Sequence, residues 1–461
     1  MTPKKHFYSL ICCLIILLLI IPLMGCEKNK SSSKNVREDD TPQDFASAIK
    51  QIRLKQKWSK HKKSLIGDYP SGPIDDAAPY LQLKMNPEIL LKSFDLGSNY
   101  LVNWQKPEGN FRYMYDWLDK TWVKDDNQVR QAGSLWGVSL CHQYKPTAKT
   151  REALLKGINY FLDNTIPGPD GSLMVKYMND SATQSGTVAL VALSIIEYLN
   201  TQGEEISDDY RQKLQKNLGG YLAFLEYMQL PNGHISKFYH LQKQRRTTRY
   251  SPYFDGESLL ALCKAARYLD YSHLVPTIEK AARAMAETYT VKAWKKDKDS
   301  KDTKGFYQWG SMSYAEYYQS QWKDYELFGD VTLALGWWMT HTHETLKKGR
   351  NHAYAVEGLI SAYRIAKMRK DTAAMIDLFY TIDRSMYKLT TWQIGGPLAG
   401  ENSFLVDNPT DDPIAIGGVM NARKKSGRPV SQDVAHQLRI DVTQHQMHAV
   451  TMSLEYVYPQ Q

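Results

Sequence analysis

The chain has 461 residues, with 58 Lys and Arg against 49 Asp and Glu and a formal net charge of +9. With 43% hydrophobic residues it is long enough for one large domain or two ordinary ones. Its five cysteines form no CxxC pair, which excludes a zinc knuckle or a disulfide framework as the source of its stability.

At the N-terminus, Lys4 and Lys5 precede an apolar run, Leu10 to Met24, too short to span a bilayer comfortably. The run ends in LMGC, Leu23 to Cys26, which resembles the lipobox of bacterial lipoproteins, with Met24 a less usual residue at its position. The resemblance implies that 1–25 is a lipoprotein signal peptide and that Cys26 is lipidated. It also implies an address in the cell envelope, at the outer membrane where the cell has one, because Glu27 rather than Asp follows the cysteine. An ordinary signal peptide or a single membrane anchor is the alternative. Residues 26–45 are polar and aperiodic and read as a flexible tether. Residues 46–461 remain as a single folded domain.

Loss of the leader removes two lysines and leaves a charge near +7, much of it in Ile49 to Lys63, a stretch with no acid. Such a segment either lies on anionic headgroups or is a solvated outer face. Nucleic acid is a poor partner for an anchored envelope protein. Cys141 and Cys263 lie in apolar helical stretches and read as core residues.

Helical periodicity then recurs to the C-terminus. Residues 150–164, 207–229, 273–289 and 371–389 each carry an apolar stripe and a charged face, the pattern of helices with one side in water. Residues 185–199, 256–269, 329–339 and 352–366 are apolar nearly all round and must be covered on most sides. In the connections, QKPEGNFRYMY (105–115), GPDGSLMVKY (168–177) and LPNGHISKFY (230–239) repeat an acid or amide, a Gly and a short stretch ending in Tyr. Alternating half-exposed and buried helices with such loops resemble the all-α α/α toroid, a ring of inner helices wrapped by outer ones. That architecture serves six-hairpin glycosidases, acylglucosamine 2-epimerases, polysaccharide lyases and terpenoid cyclases. The resemblance covers roughly 85–457 and implies about six hairpins with short β-like turns.

In a toroid the inner helices run parallel, so the polar residues that open them meet at one rim. Asp126 and Asp255 suit helix caps. Arg130, one turn into an apolar helix, needs an acidic partner such as Asp126, or an anionic ligand. With Asn127 it reads as a substrate contact. Asp255 and Glu257, in SPYFDGESLL (251–260), lie beside Tyr253 where burial separates carboxyl pKa values, as acid/base catalysis requires. KQRRTTRY (243–250) forms either a lip for an acidic polymer or a solvated loop.

RNHAYAVEG (350–358) resembles the Asn-His and Tyr cluster of toroid polysaccharide lyases, and His352 with Glu357 fits the His and Glu pairs of sugar 2-epimerases. The resemblance implies proton work for His352, Tyr354 and His445. Asp441, His445 and His448 share one helical face, either binding sugar hydroxyls or, as a minor option, Zn. The segment that holds them loosely resembles the C-terminal cluster of glucuronyl C5-epimerases. Trp309, in the aromatic-rich stretch 306–322, either stacks on a sugar or packs between helices.

The expected function is that of an enzyme on a carbohydrate, a uronate-type glycan in the first place, by hydrolysis, β-elimination or epimerisation. Apart from the minor zinc option, no cofactor is expected. A non-catalytic glycan- or peptide-binding scaffold is the alternative, with the Gly- and Pro-rich segment 391–432 as a plug or lid. Terpenoid chemistry is disfavoured because no DDxxD cluster appears.

Overall fold

The computed structural model describes residues 44–58, 64–203, 205–422 and 437–458. The leader, Cys26 and nearly all of the tether lie outside the described residues. So do the end of the basic stretch, at 59–63, and 423–436 of the Gly- and Pro-rich segment.

A first helix, α1 (Phe45–Lys55), precedes six hairpins. Their outer helices are α2 (Pro87–Asn103), α4 (Ala148–Asp163), α6 (Asp208–Tyr227), α8 (Val275–Ala286), α10 (Tyr325–Trp337) and α12 (Thr372–Thr390). Their inner helices are α3 (Gln128–Tyr144), α5 (Ser185–Leu199), α7 (Pro252–Tyr268), α9 (Lys301–Gln319), α11 (Ala353–Met368) and α13 (Ile440–Tyr456). Inner helices pack in chain order and α13 returns to α3, so the ring closes. The all-α toroid expected from the sequence is the fold observed. Each inner helix is covered by two inner neighbours and by the outer helix that follows it, α2 in the case of α13, which is why all of α5 is buried. Each Leu or Ile hidden in this way contributes about 1.5–3 kcal/mol.

Two helices depart from the expected pattern. The apolar stretch 329–339 belongs to an outer helix, α10, and owes its lack of a polar face to α1, which lies across it. Ile49 is fully buried, Arg53 pairs with Asp330 and Asp371, and the Gln56 amide donates to the Ala334 carbonyl. One face of the basic N-terminal stretch is therefore structural; Lys50 and Lys55 stay exposed. Conversely, the aromatic-rich stretch 306–322 is mostly inner helix, with Phe306, Tyr307, Tyr314 and Tyr317 in the core.

The connections at the inner helices' N-terminal ends carry short antiparallel strands. These are β1 (Met114–Asp116), β2 (Thr121–Trp122), β3 (Thr165–Pro167), β4 (Leu173–Val175), β5 (Ala182–Gln184), β6 (Phe238–His240), β7 (Arg245–Arg246) and β8 (Gln437–Arg439). β1 sits between β2 and β8, β3 pairs with β4, and β6 sits between β5 and β7.

A loop motif recurs before α3, α7 and α13. Gln105, Gln229 and Gln393, just past outer helices, send their amides to Ala153, Thr277 and Ser93 carbonyls on the next outer helix. Gly109, Gly233 and Gly417, at φ 110°, 90° and 87°, then press on that same helix; a Cβ would lie 2.5 Å from the Lys156 oxygen, 2.9 Å from the Lys280 oxygen and 2.3 Å from the Leu96 oxygen. Two residues beyond each glycine, a backbone N–H donates to the fourth residue of the inner helix: Phe111 to Gln131, Ile235 to Asp255 and Val419 to Thr443. The expected middle copy at Gly171 is different, a β3–β4 hairpin whose glycine faces open space. The third copy is Gly417, hidden from sequence comparison by the segment inserted after Gln393. Within 391–422, Trp392, Ile394, Val419 and Met420 are buried, which ties both ends of this stretch to the core.

Candidate active site

The inner helices' N-terminal ends surround a cavity of about 790 Å³. Eight of the expected polar openings line it, namely Asn127, Arg130, Tyr253, Glu257, His352, Tyr354, Asp441 and His445, and Trp309 joins them. Asp126, Asp255, Glu357 and His448 do not. Lys237, Lys304, Gln308, Lys348, Arg350 and Arg439 also line it and were not singled out: Lys237, Gln308 and Arg350 lie inside the quoted stretches 230–239, 306–322 and 350–358, whereas Lys304 and Lys348 lie in no motif.

The recurring loop orders this wall. One residue before the fastened position stand Arg130, Phe254 and Val442; two residues after it stand Gly133, Glu257 and His445, all on the cavity. Glu257 and His445 thus occupy equivalent places on the third and sixth inner helices, opposite one another in a six-membered ring.

Glu257 is buried, and its Oε2 has no hydrogen-bond partner. Gly186 on α5 allows it this position, because a Cβ there would lie 2.2 Å from that oxygen. Burial without a compensating cation pushes its pKa up to about 8, so it enters the cavity as a neutral acid.

His445 is built differently. Its Nδ1 lies 3.0 Å from Glu357 Oε1, His448 Nδ1 lies 3.5 Å from Oε2, and the Gln308 amide donates to Oε2 at 2.9 Å. Burial opposes the Glu357 charge, but the two histidines outweigh it and hold the carboxyl below its ordinary range. Burial likewise opposes the His445 charge, and Glu357 and Asp441 outweigh it, so the imidazole pKa is raised. With Nδ1 committed to Glu357, His445 presents Nε2 to the cavity.

Asp441 is clamped by Arg439 at 3.0 and 2.6 Å and approached by Arg130 at 3.4 Å. Arg130 also donates to the Tyr113 hydroxyl. The partner expected for Arg130, Asp126, instead accepts from Gln131 and Tyr177. Asp126 is not the cap either: Asn127 accepts the Arg130 N–H. The zinc option at Asp441, His445 and His448 finds Asp441 turned to arginines and both histidines to Glu357. Among the described residues no group of three His, Cys, Asp or Glu side chains is arranged to hold a metal ion.

His352 is buried with Nδ1 3.2 Å from the Arg350 carbonyl, an acceptor, so Nδ1 carries the proton. Burial, then Lys388, pushes its pKa down to about 3, and Nε2 is left a buried acceptor without a partner. Tyr354 lines the same side, with its phenol pKa raised by burial. Trp309 packs 5.4 Å from Trp136 and 6.2 Å from His445, joining core to cavity wall. The basic lip fares less well: Arg245 and Arg246 form β7 away from the cavity, with Arg246 over the Tyr227 ring.

Asp255 is the main departure from expectation. It is fully buried and accepts from the Ile235 N–H at 2.7 Å and the Tyr289 hydroxyl at 2.5 Å, with His234 at 2.6 Å. It is the loop fastener equivalent to Gln131 and Thr443, and the cap of α7 is Ser251. Asp255→Ala should therefore cost roughly 2–4 kcal/mol by orphaning three buried partners. Chemical denaturation checks this; an unchanged midpoint would contradict the fastening role.

No family model and no curated protein matches the chain. Solved structures share its fold. Cellobiose 2-epimerase from Bacillus thermoamylovorans superposes with a TM-score of 0.55 at 10% identity, covering 79% of this chain and 98% of that one. A D-mannose isomerase gives 0.53 at 12% identity, over 80% and 97%. A GH76 alpha-mannanase from Bacteroides thetaiotaomicron gives 0.52 at 12% identity, over 80% and 96%.

Proposed function

We propose that the protein is a carbohydrate-active enzyme that moves a proton at carbon in a uronate-type glycan, with epimerisation as the reaction and β-elimination as the second reading. The observation that carries this is the placement of Glu257 and His445 at equivalent points on opposite sides of the cavity. One is a neutral acid and the other an imidazole backed by a buried carboxylate. A base on one face of a sugar carbon and an acid on the other invert that carbon. Removal of the proton from C5 of a uronate leaves a carbanion conjugated with the carboxylate, and fixed cations stabilise that charge.

Six of the residues lining the cavity are Lys or Arg, against two carboxylates. Arg130 and Arg439 adjoin His445 through Asp441, and this is where the reacting uronate carboxylate is assigned. Hydrolysis by two carboxyl groups is less well served, because Asp255 lies outside the cavity and Asp441 is held by arginines. The sugar-acting names among the fold relatives agree with a glycan substrate. The N-terminal sequence supports a lipid anchor at Cys26 in the cell envelope, with 46–461 as the working domain.

The test incubates purified full-length protein with acidic and neutral polysaccharides in heavy water. Deuterium entering at C5 of a uronate without chain cleavage is the expected result, and ultraviolet absorbance from an unsaturated uronate would indicate elimination instead. Binding of acidic glycans with neither signal would replace the enzyme by the scaffold alternative. Separately, Cys26→Ala should move the protein from the membrane to the soluble fraction; unchanged membrane retention would count against lipidation.

A further inference from the structure

A second group of cations stands on the cavity wall away from Arg130 and Arg439. Lys304 comes from the first turn of α9, and Lys348 and Arg350 from the chain entering α11. They belong to the fourth and fifth inner helices, whereas Arg130 and Arg439 belong to the first and sixth. Among the described residues, the acid beside them is Asp299, 3.8 Å from Lys348 and already 2.6 Å from His343 Nδ1. Burial, and then repulsion from Lys348 and Arg350, holds Lys304 below the ordinary lysine pKa. Asp441 offsets one of the two charges of Arg130 and Arg439, whereas Asp299 offsets one of three here.

Lys304 and Arg350 are exposed at the edge of the cavity and Lys348 is half-buried, so water screens their repulsion in part, and an anion seated between them would remove the rest. His352, which follows Arg350 by two residues, adds no fourth charge, because burial and then Lys388 hold its pKa low. It is 1% exposed and lines the cavity with its Nε2 closed off from solvent. Tyr354, with the Lys304 ammonium 5.8 Å over its ring, adds an aromatic edge next to the same space.

We propose that Lys304, Lys348 and Arg350 form a second anion subsite, which holds a carboxylate or sulfate ester on a sugar unit next to the reacting one. This rests on reading the cavity as a glycan site and narrows the substrate to a chain with charges on neighbouring sugars. A polymer with one isolated acid would leave the three cations unmatched.

The probe is inorganic sulfate, titrated calorimetrically into the full-length protein, with acetate in parallel. Saturable sulfate binding is expected, weakened at least about tenfold in Lys304→Gln and in Arg350→Gln and clearly less in Arg130→Gln. Comparable binding of acetate assigns the subsite to a carboxylate; sulfate without acetate assigns it to a sulfate ester. Because each substitution relieves repulsion, both variants should melt no lower than the parent. Absence of saturable sulfate binding, or equal loss in Arg130→Gln, would overturn the proposal, and so would a lowered melting temperature in both variants with sulfate affinity retained. Sulfate binding needs no turnover. An inactive protein that binds sulfate at this place sinks the epimerase reading and leaves the subsite standing. Unchanged turnover of uronate oligomers in the Lys304→Gln/Arg350→Gln double variant does the reverse.

Discussion

Glu257→Gln is expected to lower turnover about 10²–10⁴-fold while making the protein more stable at alkaline pH. The two effects share one cause. The folded carboxyl has a pKa of about 8, against 4.5 for the unperturbed group, so the native state binds its proton more tightly than the unfolded chain does. Stability from this group is complete below about pH 4.5 and is lost as pH rises through 8. Glutamine has no proton to lose, and above pH 8 the variant should gain roughly 3–5 kcal/mol over the parent. Denaturation at pH 5 and pH 9 measures this: near equality at the first and a higher midpoint for the variant at the second. A packing residue gives a different outcome, with the variant weaker at both pH values and activity largely kept. For catalysis, the working form of the Glu257 and His445 pair carries a single transferable proton. Turnover should therefore decline as pH rises past 8 and Glu257 gives up its own.

Much of the toroid was legible in the sequence because helices without a polar face must be covered, and α5, α7 and α11 follow that rule. It failed at α10, where the cover is α1, a helix more than 250 residues away in sequence; distant cover leaves no periodic trace. For the site, parallel inner helices brought Asn127, Arg130, Glu257, His352 and His445 to one cavity as topology demands. What sequence could not divide was the pair Asp255 and Glu257, two acids separated by a glycine. They differ by about 200° around a helix, enough to send one behind the loop and the other into the cavity. Gln131 and Thr443, the counterparts of Asp255, share no chemistry with it beyond a side-chain oxygen, so the equivalence appears only when their bonds to the loop N–H groups are seen. Lys304 and Lys348 went unnoticed for a plainer reason: an isolated lysine is nearly always a solvated one.

Glu357→Gln is expected to remove most activity although the residue lies behind the cavity wall and touches no substrate. Its carboxylate is fully buried between His445 and His448, and neutralising it leaves the His445 imidazole without its counter-charge. Breaking a buried pair of this kind costs about 3 kcal/mol or more. The pH window follows from both partners. Glu357 has a lowered folded pKa, so its contribution is present above the ordinary glutamate value and is lost as pH falls through the folded one. His445 has a raised folded pKa, so its contribution is present below the ordinary histidine value and is lost as pH rises through the folded one. The pair is strongest between these limits, and the variant should fall furthest behind the parent there. Loss of stability alone does not separate positioning from packing, but the acid side of the rate profile does. Without the carboxylate, the raised pKa of His445 falls back, so the acidic limb of residual turnover should move to lower pH, with kcat reduced and KM little changed. An acidic limb at the parent's pH would mean that Glu357 does not set the proton affinity of His445.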